Sequence, residues 1–320
     1  MQKRKFWGWG YQDQVLSNDE DAAIESLIAA NFSLDEVPNL PIPLAEDIDL
    51  PTPRVNIPRT LEKVLSEDHL ERLNHSYGKS FPDLARAMLK QFPHPPDLVA
   101  FPGDQEDVVN ILDWSDQNNI AVIPYGGGSS VCGGVETYVG EDYSGVISLD
   151  LRNLNQVLEV DKASRAARIQ AGIFGPALEN ELRKSDLTLR HFPQSFEHST
   201  LGGWIATRSG GHFATLYTHI DDFVESTTMV TPTGVIESRR LPGSGAGPSP
   251  DRLVIGSEGI LGVITEAWMR LQNRPIFRSS GSVEFDDYQK ALNATRLISQ
   301  SGLYPANCRL LDANEALFNG

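Results

Sequence analysis

The sequence lacks several features that would place it in other classes of protein. It has two cysteines in 320 residues, Cys132 and Cys308, with neither CxxC nor zinc-type spacing. We therefore predict no disulfide framework and assign no metal site. No run approaches the ~20 apolar residues of a membrane-spanning helix, and the basic start MQKRKFWGWGY lacks the apolar centre of a secretory signal. We expect a cytoplasmic protein without a transmembrane segment.

Positive charge is also scarce. Lys and Arg total 27 against 43 Asp and Glu, which gives a formal net charge of −16. Binding to nucleic acid or to an anionic membrane needs clustered Lys and Arg, so neither is expected as a standing partner. The length corresponds to about two domains, each with its own core.

Glycine is concentrated in the segment PYGGGSSV, residues 124–131, which lies between two apolar runs. Gly126, Gly127 and Gly128 follow a predicted strand and carry no Cβ. They can therefore turn successive N–H groups into one concavity, which suits a phosphate or pyrophosphate. Ser129 and Ser130 add hydroxyl donors at its rim. Glycine-rich turns after strands are also common without any ligand, and this alternative stays open for the loop alone.

Local patterns elsewhere predict alternating helices and strands. Ser17 and Glu20 form a capping box before a first helix, and the aromatic residues at 6–11 are interpreted as a packing arm. Further helices are predicted from Pro82 to about Gln91, from Asp104, and from 176 to 184. The predicted strands are 97–102, AVIP, GVISLDL, NQVLEVD and RAARIQAG, followed by a hairpin at VTPTGVIES and a surface loop at 244–250. After Pro275 we predict a strand at GSVEF, a helix at DDYQKALNATRLISQSG, a strand at PANCRLLD and a helix at ANEALF.

Three glycine-rich segments, 124–130, 201–211 and 256–262, alternate with β-rich sequence, so one extended ligand could be held at several points. The loop is not a Rossmann fingerprint, because Val131 stands at the third glycine position. Gly78-Lys79-Ser80 is not a Walker A loop, because Leu73 stands where that motif needs glycine.

This combination resembles FAD-binding flavoproteins of the PCMH, or vanillyl-alcohol-oxidase, type. Within that group PYGGGSSV, PQSFEHSTLGGWIATRSGG, IDDFVESTTMVTPTGVIE and IGSEGILGVITEA resemble, in order and spacing, the alkylglycerone-phosphate synthase family. The resemblance implies an α+β fold: an N-terminal arm with a helical and Pro-rich region (1–93), a two-lobed FAD-binding domain (94–275) and the beginning of an α/β cap, or substrate, domain (276–320). That last domain is expected to be truncated.

The family implies FAD, held mostly by backbone groups and small residues, and we predict that it is bound noncovalently. The pyrophosphate would lie on 124–130, the flavin along the second segment and the adenine under the third. The implied cofactor-binding residues are Pro124, Tyr125, Gly126, Gly127, Gly128, Ser129, Ser130, Gln194, Ser195, Ser199, Thr200, Gly202, Gly203, Thr207, Arg208, Ser209, Gly210, Glu258, Gly259, Gly262, Val263 and Ile264.

Some positions depart from the family pattern. Gln194 replaces an aspartate and His198 a phenylalanine, and both runs 212–215 (HFAT) and 218–219 (TH) are changed, which puts the substrate in doubt. RSGGH, residues 208–212, mimics the flavin-linking loop of berberine-bridge-type oxidases. We interpret that as a coincidence, because the pyrophosphate loop is already assigned and carries Ser129 rather than histidine.

Few side chains are candidates for chemistry. Arg208 could stabilise a reduced flavin or hold a substrate anion, or could form a structural ion pair. His212 and His219 are either acid–base groups or ordinary hydrogen-bonding histidines. Cys132 is expected to be a small packed residue. The family's tyrosine acid–base residue, its histidines and its phosphate-binding arginine lie beyond Gly320 by pattern.

Three functions follow from the resemblance. The first is the family's reaction, in which acyl-dihydroxyacetone phosphate exchanges its acyl group for an alkyl group through a flavin adduct, as in ether-lipid synthesis. The second is an FAD-dependent oxidoreductase of a 2-hydroxy acid or an alcohol. The third is an FAD-binding fragment without turnover. A small-molecule or lipid-like substrate is the expected partner, and a homodimer is left open.

Overall fold

A computed structural model describes residues 3–38, 40–241 and 247–319. Its helices are α1 (Asn18–Phe32), α2 (His69–Asn74), α3 (Phe81–Met88), α4 (Gln105–Gln117), α5 (Gly175–Arg183), α6 (Leu201–Ala206), α7 (Pro250–Val254), α8 (Tyr288–Gln300) and α9 (Ala313–Asn319). Its strands are β1 (Leu65–Ser66), β2 (Leu98–Ala100), β3 (Ile120–Tyr125), β4 (Gly145–Asp150), β5 (Val157–Asp161), β6 (Ala166–Gln170), β7 (Leu187–Thr188), β8 (Val224–Thr231), β9 (Gly234–Glu237), β10 (Val263–Arg270) and β11 (Gln272–Asn273).

The chain forms two compact units, Met1–Asn153 and Leu154–Gly320. Each has its own sheet, as expected for a mixed α+β chain of this length. The boundaries at 93/94 and 275/276 stay a prediction. Within the described ranges, no helix is long and apolar enough to cross a membrane.

The first unit contains a four-stranded sheet in the order β1-β2-β4-β3. Strands β2, β4 and β3 are parallel, and every residue of β4 is buried, as is typical of a central parallel strand. Helix α4 connects β2 to β3. The side chain of Asp104 caps this helix, and Val108 and Ile111 are fully buried. The predicted strand–helix–strand order is confirmed, and the glycine loop follows directly after β3.

The second unit contains a five-stranded antiparallel sheet in the order β5-β6-β10-β8-β9. The predicted hairpin is confirmed as β8 and β9, which pair from Thr231 with Gly234 back to Thr228 with Glu237. Helix α5 begins one residue before the predicted start and ends at Arg183.

The Ser17 capping box is confirmed: Ser17 and Glu20 exchange hydrogen bonds at the start of α1. This helix buries none of its residues, however. Helix α3 ends at Met88, where the prediction extended it to about Gln91. Of the predicted surface loop at 244–250, residues 244–246 lie outside the described residues.

The two strands predicted after Pro275, GSVEF and PANCRLLD, are wrong. The structure gives neither segment strand geometry, whereas α8 between them is present as predicted. Val283 is 75% exposed. A strand needs a neighbouring strand for its backbone hydrogen bonds, and the described part of the chain pairs no strand with either segment.

Candidate functional site

The glycine loop of the first unit, residues 126–130, follows the last residue of β3, where Tyr125 pairs with Asp150 of β4. Gly128 has a φ of 67°, and a Cβ at this position would overlap the hydroxyl of Tyr125. That hydroxyl donates to the carbonyl oxygen of Asn74 at 3.1 Å, and burial raises the pKa of Tyr125 to about 12. The tyrosine side chain therefore supports the loop from inside and stays protonated.

The loop presents a row of free donors. Among the residues that the structure describes, the five backbone N–H groups of 126–130 donate to no protein acceptor. The three glycines carry no side chain that could cover these groups. Successive free N–H groups in a glycine-rich turn suit an anion, so the residues present fit the diphosphate of a dinucleotide.

Groups from outside the loop hold its carbonyl oxygens. The Arg4 guanidinium donates to the carbonyl oxygen of Gly127 at 2.5 Å, and the N–H of Lys79 donates to that of Ser130 at 2.7 Å. A Cβ on Gly78 would overlap the Ser130 carbonyl oxygen. These three residues were not predicted as parts of the site. The only signal for them in the sequence is the glycine in Gly78-Lys79-Ser80, a run that resembles part of a Walker A loop.

A charged cluster lies beside the end of β4. His75 Nε2 lies 2.9 Å from Asp150 Oδ2, and Arg152 contacts both Asp150 and Glu71 at 2.6 and 3.2 Å. Burial disfavours the charged form of Asp150, but His75 and Arg152 outweigh burial and hold the pKa of Asp150 below its usual value. The His75 ring also packs on Tyr125, with 4.2 Å between ring centroids. Through Asp150 and Tyr125, the cluster therefore stabilises the adjacent ends of β4 and β3, and the loop follows β3.

Cys132 follows the loop and is exposed, with Sγ 3.6 Å from Ser130 Oγ. The prediction that Cys132 is a packed residue is wrong. Residues 131–134 form a turn in which the N–H of Gly134 donates to Ser130 Oγ, so the cysteine side chain faces outward. Cys308 is also free and exposed.

In the second unit, the predicted flavin-side hydroxyls Ser199 and Thr200 are buried and shape the start of α6. Thr200 is the N-cap of this helix and accepts from the N–H of Gly203. Ser199 Oγ donates to the carbonyl oxygen of Ser195 and accepts from Trp204 Nε1 at 2.7 Å. Both hydroxyls thus fix the local chain, while Gln194 is exposed.

Gly202 allows α6 to approach the strand region closely. A Cβ here would lie 2.8 Å from the Cβ of Ala171, and the N–H of Gly202 donates to the Ala171 carbonyl oxygen at 2.7 Å. The other end of α6 joins the third glycine segment. Backbone bonds run from Gly256 to Ile205 and from Glu258 to Ala206. The predicted second and third segments are therefore neighbours.

The third segment leads into β10. Gly262 has a φ of 156°, and a Cβ there would overlap the carbonyl oxygen of Val230. Val263 and Ile264 are buried strand residues paired with β8. The buried hydroxyl of Ser257 has no hydrogen-bond partner in the described chain.

Arg208 adopts a φ of 50° just after α6, and its side chain is more than half exposed. Its Nη2 lies 3.1 Å from Asp221 Oδ2, which Arg252 also contacts. Burial would raise the pKa of Asp221, but the hydrogen bond and charge of Arg208 outweigh burial and lower that pKa. Arg208 therefore forms an ion pair with Asp221, and its own guanidinium group is largely exposed.

His191 was missed from the sequence, where nothing marks it. It is buried, and its Nε2 lies 2.8 Å from Ser209 Oγ. Burial, with a smaller contribution from the charge of His219, lowers the pKa of His191 to about 4. A neutral His191 therefore fixes the predicted flavin-side residue Ser209.

The two histidines weighed for acid–base chemistry have local partners. His212 is exposed, and its Nδ1 accepts from Arg309 at 3.1 Å. His219 Nδ1 lies 3.0 Å from Thr218 Oγ1, and its backbone begins a short 3-10 helix, Ile220–Asp222. The described residues include no cluster of His, Cys, Asp and Glu that could hold a metal ion.

Comparison with known proteins identifies the cofactor. Residues 96–238, which include the glycine loop and α6, match the family described as FAD binding domain. The chain carries an FAD-binding domain of this family. FAD is accordingly the cofactor.

Relatives of this FAD-binding chain include the alkyldihydroxyacetonephosphate synthases of Dictyostelium discoideum and Trypanosoma brucei brucei. They are 38% identical over 292 residues and 33% identical over 273 residues, which is 89% and 83% of this chain and 47% and 44% of theirs. An FAD-linked oxidoreductase of Escherichia coli, YgcU, is 31% identical over 258 residues, 80% of this chain and 51% of its own.

A solved structure of an alkyldihydroxyacetonephosphate synthase matches with a TM-score of 0.76 at 34% identity. The match covers 86% of this chain and 55% of that one. The chain therefore spans about half the length of the synthases that it matches. The resemblance to FAD-binding flavoproteins, and within them to these synthases, is confirmed.

Proposed function

We propose that this chain binds FAD noncovalently and forms the flavin-binding part of an enzyme that converts acyl-dihydroxyacetone phosphate to its alkyl counterpart. The observation that carries the proposal is the row of free N–H groups in loop 126–130, inside an FAD-binding domain. Five donors without acceptors among the described residues suit the negative charge of the FAD diphosphate.

The remaining cofactor-binding residues are proposed from the second and third glycine segments. Exposed Gln194 and Thr207, the small residues Gly203 and Gly210, and half-buried Gly259 leave backbone groups accessible to a flat ring. FAD supplies a ring system that accepts electrons. Arg208, paired with Asp221, keeps a positive charge at this segment, and His191 holds the Ser209 hydroxyl.

The reaction is proposed from the synthases that the chain matches. In it, a fatty alcohol replaces the fatty acid of the acyl-dihydroxyacetone phosphate, and the fatty acid is released, with no net oxidation. A lipid-like substrate follows from this reaction. None of the described residues is assigned a catalytic role in the exchange; Arg208 is the candidate for a flavin-side cation.

An FAD-dependent oxidoreductase is the second candidate. It is supported by relatives named as a glycolate oxidase subunit of Bacillus subtilis, 28% identical over 224 residues, and a D-lactate dehydrogenase of Saccharomyces cerevisiae, 31% identical over 223 residues. The changed run HFAT, residues 212–215, also favours a substrate other than that of the synthases. A 2-hydroxy acid or an alcohol is the substrate class on this hypothesis.

The first experiment is an absorbance spectrum of the purified chain before and after acid precipitation. Noncovalent FAD gives a yellow protein that releases its flavin into the supernatant, whereas flavin in the pellet would contradict noncovalent binding. Gly127→Val should abolish flavin retention by blocking the loop. The matched control is Gly281→Ala, because a Cβ on Gly281 meets nothing within 4 Å.

Two assays separate the reactions. Anaerobic addition of D-lactate or glycolate bleaches the flavin of an oxidoreductase. Release of fatty acid from acyl-dihydroxyacetone phosphate, dependent on added fatty alcohol, identifies the exchange. Bleaching without exchange would overturn the first candidate. The cytoplasm is the proposed compartment, supported by two free, exposed cysteines, and a homodimer stays a prediction that light scattering tests.

A further inference from the structure

The N-terminal arm, residues 3–14, is folded as a small hairpin. Arg4 and Tyr11 form an antiparallel bridge, and the N–H of Gln12 donates to the carbonyl oxygen of Lys3 at 2.8 Å. The side chain of Gln14 closes the hairpin by accepting from the N–H of Tyr11 at 2.8 Å. The hairpin therefore fixes the backbone position from which the Arg4 side chain extends.

Two contacts attach this arm to the first unit. Phe6 is 5% exposed and packs in a cluster that includes Tyr77 and Phe92, with 6.0 Å between the rings of Phe6 and Phe92. Lys79 Nζ donates to the carbonyl oxygen of Lys5 at 3.0 Å. An apolar anchor and a partly buried ammonium group thus hold the two residues that follow Arg4.

From this position Arg4 controls the direction of a peptide group in the glycine loop. In a planar trans peptide, the carbonyl of Gly127 and the N–H of Gly128 point in opposite directions. The Arg4 guanidinium binds the Gly127 carbonyl oxygen, so it turns the Gly128 N–H away from the arm. The backbone N–H of Lys79 binds the Ser130 carbonyl oxygen and in the same way directs the N–H of the next residue, Val131. The Gly128 donor of the loop therefore faces away from the Arg4 guanidinium.

The arm also adds charge. Lys79 is buried close enough to Arg4 for the two charges to repel: burial, and then the charge of Arg4, lowers the pKa of Lys79 to about 8. Asp83 contributes an opposing negative charge. An anion bound at this turn would attract both cations, and this attraction would offset their mutual repulsion.

We propose that the N-terminal arm is part of the cofactor site, with Arg4 as a positioning residue that orients the Gly128 N–H of loop 126–130 toward the diphosphate of a dinucleotide. This inference rests on the proposed function, because it takes FAD as the ligand of the loop. It assigns to an N-terminal segment a role that packing alone would not give it. Docking of the arm and binding of FAD then stabilise each other.

The test compares FAD dissociation constants of the full chain and of Arg4→Ala, Arg4→Lys and Lys3→Ala, measured by quenching of flavin fluorescence. Arg4→Ala should weaken FAD binding by about tenfold or more, as expected for loss of a charge-assisted hydrogen bond. Arg4→Lys should recover part of this loss. Lys3→Ala is the matched control, because Lys3 is an exposed cation of the same arm and leaves the loop untouched.

Riboflavin, which lacks the diphosphate, separates positioning from a general loss of structure. Arg4→Ala should weaken FAD binding much more than riboflavin binding, whereas a disordered first unit would lose both. FAD should also slow tryptic cleavage after Arg4 and Lys5 in the unmodified chain. Equal FAD affinity of Arg4→Ala and Lys3→Ala would overturn the inference. Failure of the unmodified chain to bind FAD would instead overturn the proposed function.

Discussion

Gly128→Ala is the substitution whose cost the structure defines best. The new side chain would have to adopt a φ of 67°, which costs an L-residue about 1 to 2 kcal/mol. Its Cβ would also overlap the Tyr125 hydroxyl and lie 2.5 Å from Tyr125 Cζ. The tyrosine is buried and its hydroxyl is bonded to Asn74, so relief of the overlap costs about a further 1 to 3 kcal/mol. We expect the first unit to lose about 2 to 5 kcal/mol of unfolding free energy.

Urea unfolding of Gly128→Ala, followed by fluorescence, measures this loss, and Gly281→Ala serves as the control at an open position. Combining Gly128→Ala with Tyr125→Phe should restore only part of the stability, because the ring carbon remains in the way. A Gly128→Ala chain that unfolds at the same urea concentration as the unmodified chain would show that the tyrosine does not lie under the loop.

Three further predictions concern other parts of the two units. Gly202→Ala should cost about 1 to 3 kcal/mol because its Cβ would lie 2.8 Å from that of Ala171, whereas Gly203→Ala, whose nearest neighbour is 3.5 Å away, should be tolerated; thermal unfolding of the pair decides. Phe6→Ala should lower the free energy of unfolding in urea by about 3 to 5 kcal/mol and release the arm. Phe81→Ala, at a side chain that is 84% exposed, should lower it by less than about 1 kcal/mol, and equal effects would contradict the packing of the arm. His191 has a pKa of about 4 in the folded chain against 6.5 for a free histidine, so between these pH values only the unfolded chain binds this proton. The free energy of unfolding therefore falls as the pH drops from 6.5 to 4, by up to about 3 kcal/mol. His191→Gln should flatten the dependence of the melting temperature on pH over this range, and an unchanged slope would refute the assignment.

The sequence allowed prediction of those parts of the fold that depend on neighbours along the chain. Helix α4 could be located from Asp104 and the spacing of Val108 and Ile111, and the hairpin β8–β9 from its turn. The glycine loop could be assigned to the end of a strand for the same reason. Each of these features combines a local capping or turn signal with an apolar period, and both are visible in a short window.

Contacts between distant residues could not be predicted in this way. Arg4 and Gly127 are 123 positions apart, and nothing near Arg4 marks it as a partner of a glycine loop. His191 is likewise recognisable only once Ser209 lies beside it. The opposite error produced the strands GSVEF and PANCRLLD: their composition suits a strand, but the described chain gives them no neighbour with which to pair.

The glycine loop is held in shape by residues that contact its carbonyl oxygens and its inner side. Tyr125 lies beneath it, Gly78 admits its Ser130 carbonyl, and Arg4 and Lys79 hold its oxygens. None of these residues contributes its side chain to the row of N–H groups, so side chains elsewhere in the chain can change without altering the shape of the loop. On the proposed function, the residues that hold the loop in shape are therefore different from those that would contact a substrate.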